Sequence, residues 1–287
     1  MAYAHLLSIA SGSPDDADML TVTADLAKRN GALARVLPAF PTVVAAASWA
    51  DAFGTTWFTQ ETWDAIYEAQ GDLRVKLAGM AKAAADAAGL PFGADIFGAR
   101  MEMATEQGTL WLGLTQELPL TDLVVAGHTA ALQDGPWLGL LDEAVIAGRS
   151  PLLVARGGVP VSERPAVVAW DGSMEAGRST RAAVPLLRSA PRTVILQDVR
   201  HIDETERSHC EPEQLAEYLT LRGVKEVEIK RVEGHGKNEL ASIVKSTGAG
   251  LLVAGAYGHS RLREALFGGV TRSFLAGDEG PHLFLAH

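Results

Sequence analysis

Three short segments of this chain occur twice in the same order, and this repetition limits the fold more than the composition does. Ser11-Gly12-Ser13 returns as Asp171-Gly172-Ser173, 160 residues later. Val124-Val125-Ala126-Gly127 returns as Leu252-Val253-Ala254-Gly255 at an offset of 128, and Pro151-Leu152-Leu153-Val154-Ala155 as Pro281-His282-Leu283-Phe284-Leu285 at 130. Each repeated piece lies in or beside a short apolar run, too short for a helix and suited to a strand buried on both faces. The fall in offset means that the first half carries about 32 more residues. An aromatic, turn-rich insert at 43–70, with Trp49, Phe53, Trp57, Phe58, Trp63 and Tyr67, accounts for most of them.

Periodicity fills in the rest. In the first half it predicts strands at 5–10, 33–40, 94–100, 123–127 and 151–155, with helices around 19–27, 73–88, 110–118 and 138–147. In the second half it predicts strands at 166–170, 193–199, 226–232, 251–254 and 282–286, with helices at 175–187, 212–221 and 238–247. Strands alternating with helices imply a parallel sheet covered on both faces, so each half is expected to be an α/β, doubly wound (Rossmann-like) domain. The expected domains are 1–157 and 164–287, with Gly157-Gly158-Val159-Pro160 as the linker. Such sheets bind ligands beyond the carboxyl ends of their strands, where Asp171, Val199 and Gly255 fall.

The stretch from Leu251 to Leu275 carries the chemistry. A buried-strand run, Leu251-Leu252-Val253-Ala254, breaks into Gly255-Ala256-Tyr257-Gly258 and passes His259-Ser260-Arg261-Leu262-Arg263. It then reaches Gly268-Gly269, after which Val270, Phe274 and Leu275 recur at helical spacing. A strand running through glycines into a helix start is the outline of a phosphate cradle. Glycine lets backbone approach an anion, exposed N–H groups point at it, and the helix dipole favours its charge. Charge agrees: residues 1–160 hold 18 acidic and 9 basic side chains, whereas residues 161–287 hold 17 and 16.

The glycine spacing, Gly255-x2-Gly258-x9-Gly268, resembles the nucleotide-binding signature of the universal stress protein family. One departure is Gly269, where ATP-binding members carry Ser or Thr; it keeps an N–H but loses a hydroxyl donor. The repeat resembles the tandem members of that family, whose domains are adenine nucleotide alpha-hydrolase-like. The resemblance implies an intrachain pseudo-dimer, the two halves pairing through Val154, Phe284 and their neighbours. It implies that Asp171 meets ribose, adenine or a bound Mg²⁺, that Val199 contacts the base, that Ala254 and Gly255 line the ribose side, and that Ala169 and Thr271 belong to the same nucleotide site. Gly258, His259, Gly268, Gly269 and Val270 would take the phosphates, with Arg261 and Arg263 adding charge. Asp171 is equally suited to an Asx turn or a helix N-cap.

The first half has lost this device. Ser11 stands for Asp171, Ala130 for Gly258, and the basic loop becomes Thr129-Ala130-Ala131-Leu132-Gln133-Asp134. One adenine nucleotide (ATP, AMP or ADP) per chain is therefore expected. Ser11-Gly12-Ser13-Pro14-Asp15-Asp16 distantly resembles the pyrophosphate loop of nucleotide alpha-hydrolases but lacks its double glycine. The aromatic insert is either a lid over an apolar pocket or, as such aromatics more often are, a hydrophobic flap.

A net charge of −10 argues against general nucleic-acid or anionic-membrane binding. No apolar run of membrane-spanning length occurs, and the N-terminus lacks a signal-peptide pattern. With Cys210 the only cysteine, a reducing, cytoplasmic setting is expected. His201, His209 and Cys210 lack zinc-ligand spacing and read as a solvated loop. No acid–base pair stands out, so hydrolysis beyond a slow ATPase is not expected. The resemblance implies a nucleotide-responsive regulatory module. The alternatives are a slow ATPase, or a small-ligand or protein-interaction module working through the insert. A further homodimer and an unidentified regulatory partner stay open.

Overall fold

The computed structural model describes residues 2–39, 60–95, 97–105, 110–132, 148–198, 210–232, 237–255 and 280–287. Contacts divide the chain into two compact units, Tyr3–Leu140 and Leu141–His287, the latter joined by Met1–Ala2.

In the first unit, β1 (His5–Ala10) leads into α1 (Asp16–Asn30) and β2 (Leu33–Pro38). Then come α2 (Gln60–Ala88), β3 (Arg100–Met103), α3 (Leu110–Glu117), β4 (Leu123–Gly127) and a short turn of helix, α4 (His128–Leu132). The strands lie in the order β3-β2-β1-β4, all parallel. β1 and β4 are buried along their whole length, as unbroken apolar runs in a doubly covered sheet must be.

Two expectations are corrected in this unit. The helix expected from 73 begins at Gln60, so residues 60–70 of the aromatic insert form its opening turns, while 43–59 lie outside the described residues. Trp63, Ile66 and Tyr67 stand at helical spacing, a period masked by reading the aromatics as turn-rich. The strand expected at 94–100 forms instead at Arg100–Met103, and Phe97 is fully exposed. The later register is favoured because it buries Met101 and sets Glu102 opposite Arg35. The buried Glu102 carboxylate accepts Arg35 Nε at 2.6 Å and Arg100 Nε at 2.8 Å. Burial alone would raise its pKa, but the two guanidiniums outweigh this and hold it below the ordinary range.

In the second unit, β5 (Leu152–Ala155) precedes β6 (Ala166–Ala169), α5 (Met174–Ser189), β7 (Thr193–Asp198) and α6 (Pro212–Leu221). β8 (Val227–Val232), α7 (Lys237–Ser246), β9 (Leu251–Gly255) and β10 (His282–Ala286) complete it. The order is β5-β10-β9-β6-β7-β8, parallel except for β5 against β10. The expected pairing of the Val154 and Phe284 strands is present: Leu283 faces Val154 and Phe284 faces Leu153. The helix expected at 138–147 lies outside the described residues.

Helix α5 shows how sequence chemistry docks an element. Ser173 caps it, its hydroxyl accepting the Ala176 N–H at 3.1 Å. Ser179, fully buried, donates to the Ala286 carbonyl at 3.1 Å and accepts the Ala286 N–H at 2.7 Å. One hydroxyl thereby satisfies both backbone groups at the end of β10.

His282, 2 % exposed, ties the segment after β5 to β10. Its Nδ1 accepts the Arg156 backbone N–H at 3.0 Å, and its Nε2 lies 2.8 Å from the Val159 carbonyl, which can only accept. The ring is therefore neutral and protonated on Nε2. Burial lowers its pKa, helped by Arg156 and Arg164 and opposed by the Val159 bond. A folded pKa below the unfolded value means that the unfolded chain takes up the proton first. This contribution to stability is present above the ordinary value, about 6.5, and is lost as pH falls through it. Urea unfolding from pH 8 to 5 should show that loss. In His282→Ala the slope should flatten and stability at pH 8 should fall by about 1–3 kcal/mol, the worth of two buried hydrogen bonds. Among the described residues, no helix is long and apolar enough to cross a membrane.

Candidate functional site

In each unit the chain runs outward from one strand and then crosses to that strand's other side. In the second unit this reversal falls between β6 and β9. Ligands of open α/β sheets bind in the crevice at the carboxyl ends of the strands at such a switch point.

The register that pairs Val168 with Val253 brings the ends of the two strands level. Ala169 closes β6 and Gly255, after half-buried Ala254, closes β9; beyond β6 the chain leaves through Asp171. Asp171 is exposed, and its Oδ1 accepts the Ser173 N–H at 2.9 Å, an Asx turn feeding directly into the α5 cap. Gly172 makes this turn with φ +80°, and a Cβ there would lie 3.1 Å from the Cys210 carbonyl. Gly255 is constrained by space alone. A Cβ on it would stand 2.7 Å from the Ala176 nitrogen and 2.9 Å from the Glu175 carbonyl carbon. The end of β9 therefore lies against the first turn of α5, with backbone meeting backbone.

Four expected site residues, Ala169, Asp171, Ala254 and Gly255, thus lie at the neighbouring carboxyl ends of β6 and β9. Val199, Gly258, His259, Arg261, Gly268, Gly269, Val270 and Thr271, like Arg263, lie outside the described residues. Periodicity did not reveal the role of Trp170, which is 6 % exposed at the end of β6. Its indole N–H donates to the Cys210 carbonyl at 3.0 Å, so the chain returning before α6 is fixed beside Gly172. The signal available was an aromatic closing an otherwise aliphatic strand. Cys210 is a wall residue here, and its half-buried thiol has its pKa raised by burial and then by Glu211. His201 and His209 lie outside the described residues.

The family comparison agrees with this geometry: residues 164–277 match the model of the Universal stress protein family. That match lies within the second half of the chain and takes in Ala169, Asp171, Ala254 and Gly255. A universal stress protein from Archaeoglobus fulgidus DSM 4304 superposes with a TM-score of 0.66 at 15% identity, covering 98% of this chain and 95% of that one. A functionally unknown protein, PA1789 from Pseudomonas aeruginosa PAO1, gives 0.52 at 12% identity, covering 99% and 92%. The cytoplasmic domain of a prokaryotic cation chloride cotransporter gives 0.52 at 10% identity, covering 98% and 94%. No curated protein sequence matches the chain. At these identities the structural likeness establishes the fold, and the same architecture evidently serves quite different hosts. Because it spans both halves, the tandem α/β architecture belongs to the whole chain.

Proposed function

We propose that this chain is a nucleotide-responsive regulatory module of the stress response, with a degenerate domain at 1–157 and a binding domain at 164–287. The binding domain holds one adenine nucleotide, ATP or its AMP and ADP relatives. The observation that carries this reading is the contact of Gly255 with the first turn of α5 beside the exposed Asp171 carboxylate. It sets the start of the glycine-spaced segment directly against the helix N-terminus that follows Asp171. Asp171 accepts from ribose hydroxyls in this reading, which its exposed carboxylate supports. A single carboxylate together with phosphate oxygens is also a donor set that Mg²⁺ accepts. Gly258, Gly268 and Gly269 supply phosphate-facing N–H groups, and His259, Arg261, Val270 and Thr271 border them. Ala169, Val199 and Ala254 enclose the base and sugar. The module works in the cytoplasm through a protein partner that senses occupancy.

Titration calorimetry with ATP and AMP tests this, preceded by native mass spectrometry of gently purified protein. One nucleotide per chain is expected. Asp171→Ala should weaken binding about tenfold or more, the worth of a hydrogen bond to a charged group. Asp171→Asn keeps the Asx acceptor, so it should retain the parent's unfolding transition and lose less affinity. A parent chain that ignores both nucleotides, or Asp171→Ala binding like the parent, would sink the reading.

A further inference from the structure

The two switch points share a glycine turn but place their carboxylates differently. Gly12 and Gly172 occupy equivalent loops with φ +82° and +80°, and the offset of 160 sets Asp15 against Glu175 and Asp16 against Ala176. In the second unit the carboxylate follows the strand directly, as Asp171, and is exposed. In the first unit, Ser11 stands there and the carboxylates have moved into the start of α1.

From that position they fold back over the loop. Asp16, fully buried, accepts the Gly12 N–H at 2.7 Å and the Ser11 N–H at 3.2 Å. Asp15 reaches further. Its Oδ1 accepts the Ser13 hydroxyl at 2.5 Å, and its Oδ2 accepts the Thr129 backbone N–H at 2.7 Å, 114 residues away. The same oxygen lies 2.8 Å from where a Cβ on Gly127 would sit. Gly127 is the counterpart of Gly255, and in this unit the space beside it is filled by a carboxylate. Glu175, at the position equivalent to Asp15, instead lies 3.7 Å from Arg178 on its own helix.

We infer that Asp15 is a built-in latch: its carboxylate crosses the β1/β4 switch point, takes the Thr129 N–H and closes the first unit without a ligand. The consequence is a division of labour. The first unit is held shut by its own side chain whatever the nucleotide level, and only the second responds. The division of labour rests on the one-nucleotide reading above; the latch itself does not.

Amide hydrogen exchange on the full-length chain, read residue by residue by NMR with and without ATP, tests it. In the parent, Thr129 should exchange slowly and ATP should not change its rate. Asp15→Ala should accelerate Thr129 by at least about tenfold, the factor a charge-assisted hydrogen bond is worth, while Ser11 and Gly12, held by Asp16, stay slow. Asp15→Asn keeps an acceptor oxygen, so it secures a folded variant and should accelerate Thr129 less. Unchanged Thr129 exchange in both variants would overturn the latch, as would ATP slowing Thr129 in the parent. Failure of the nucleotide reading is seen separately, as no ATP-dependent change anywhere in the parent and no calorimetric signal.

Discussion

Gly255→Val should abolish nucleotide binding and cost stability at or above the roughly 3 kcal/mol upper end of typical overpacking penalties. The reason lies in what the new side chain would meet. A Cβ at this position stands 2.7 Å from the Ala176 nitrogen and 2.9 Å from the Glu175 carbonyl carbon, both backbone atoms in the first turn of α5. Neither can rotate away, so β9 and α5 must separate, and Ser179 must then lose its paired bonds to Ala286 or the helix must tilt. Gly127→Ala is the informative contrast. Its Cβ would meet the Asp15 carboxylate at 2.8 Å, a side-chain end that can swing aside, so the cost should be smaller and should fall on the Thr129 contact. Urea unfolding combined with ATP calorimetry separates the two. A Gly255→Val chain with parental stability and parental affinity would show that the crevice is looser than these distances require.

Phe284→Ala should be the most destabilising single truncation in the second unit, by about 3–5 kcal/mol. Phe284 is 0% exposed and, among the described residues, heads the fully buried side chains by volume. It sits in β10 with Leu153 across the antiparallel pairing and Val253 across the parallel one, so close-packed neighbours cannot readily collapse into the space it leaves. Against a typical domain stability of about 5–15 kcal/mol, the loss takes a large share. Phe284→Leu, which keeps most of the apolar contact, should cost clearly less. Equilibrium urea unfolding measures both; an alanine variant within about 1 kcal/mol of the parent would mean that this strand is not the centre of the core.

Much of the fold was legible because its signals are local. β1 and α6 lie where the apolar period placed them, at His5–Ala10 and Pro212–Leu221, since an unbroken aliphatic run and a proline-led amphipathic turn depend on near neighbours alone. The turn after β6 was readable in part: Asp171 makes the Asx turn expected of it, whereas the helix is capped by Ser173 and not by Asp171. Errors arose where a local signal competed with a distant one. Periodicity set a strand at 94–100, but the sheet took Arg100–Met103 because Met101 and Glu102 had partners on β2. The aromatics of the insert obscured the opening of α2 in the same way.

The alternation of strands and helices, its duplication, and the carboxylate and glycines at strand ends were all written in the linear order of residues. All of these follow from side-chain period and turn chemistry within a few residues. Only the tertiary structure decided that Gly255 must be bare because α5 starts against it, that the Trp170 indole seeks the Cys210 carbonyl, and that Asp15 reaches Thr129. Those contacts join segments 40 to 114 residues apart. Strand order sets them, and no spacing within either segment encodes that order.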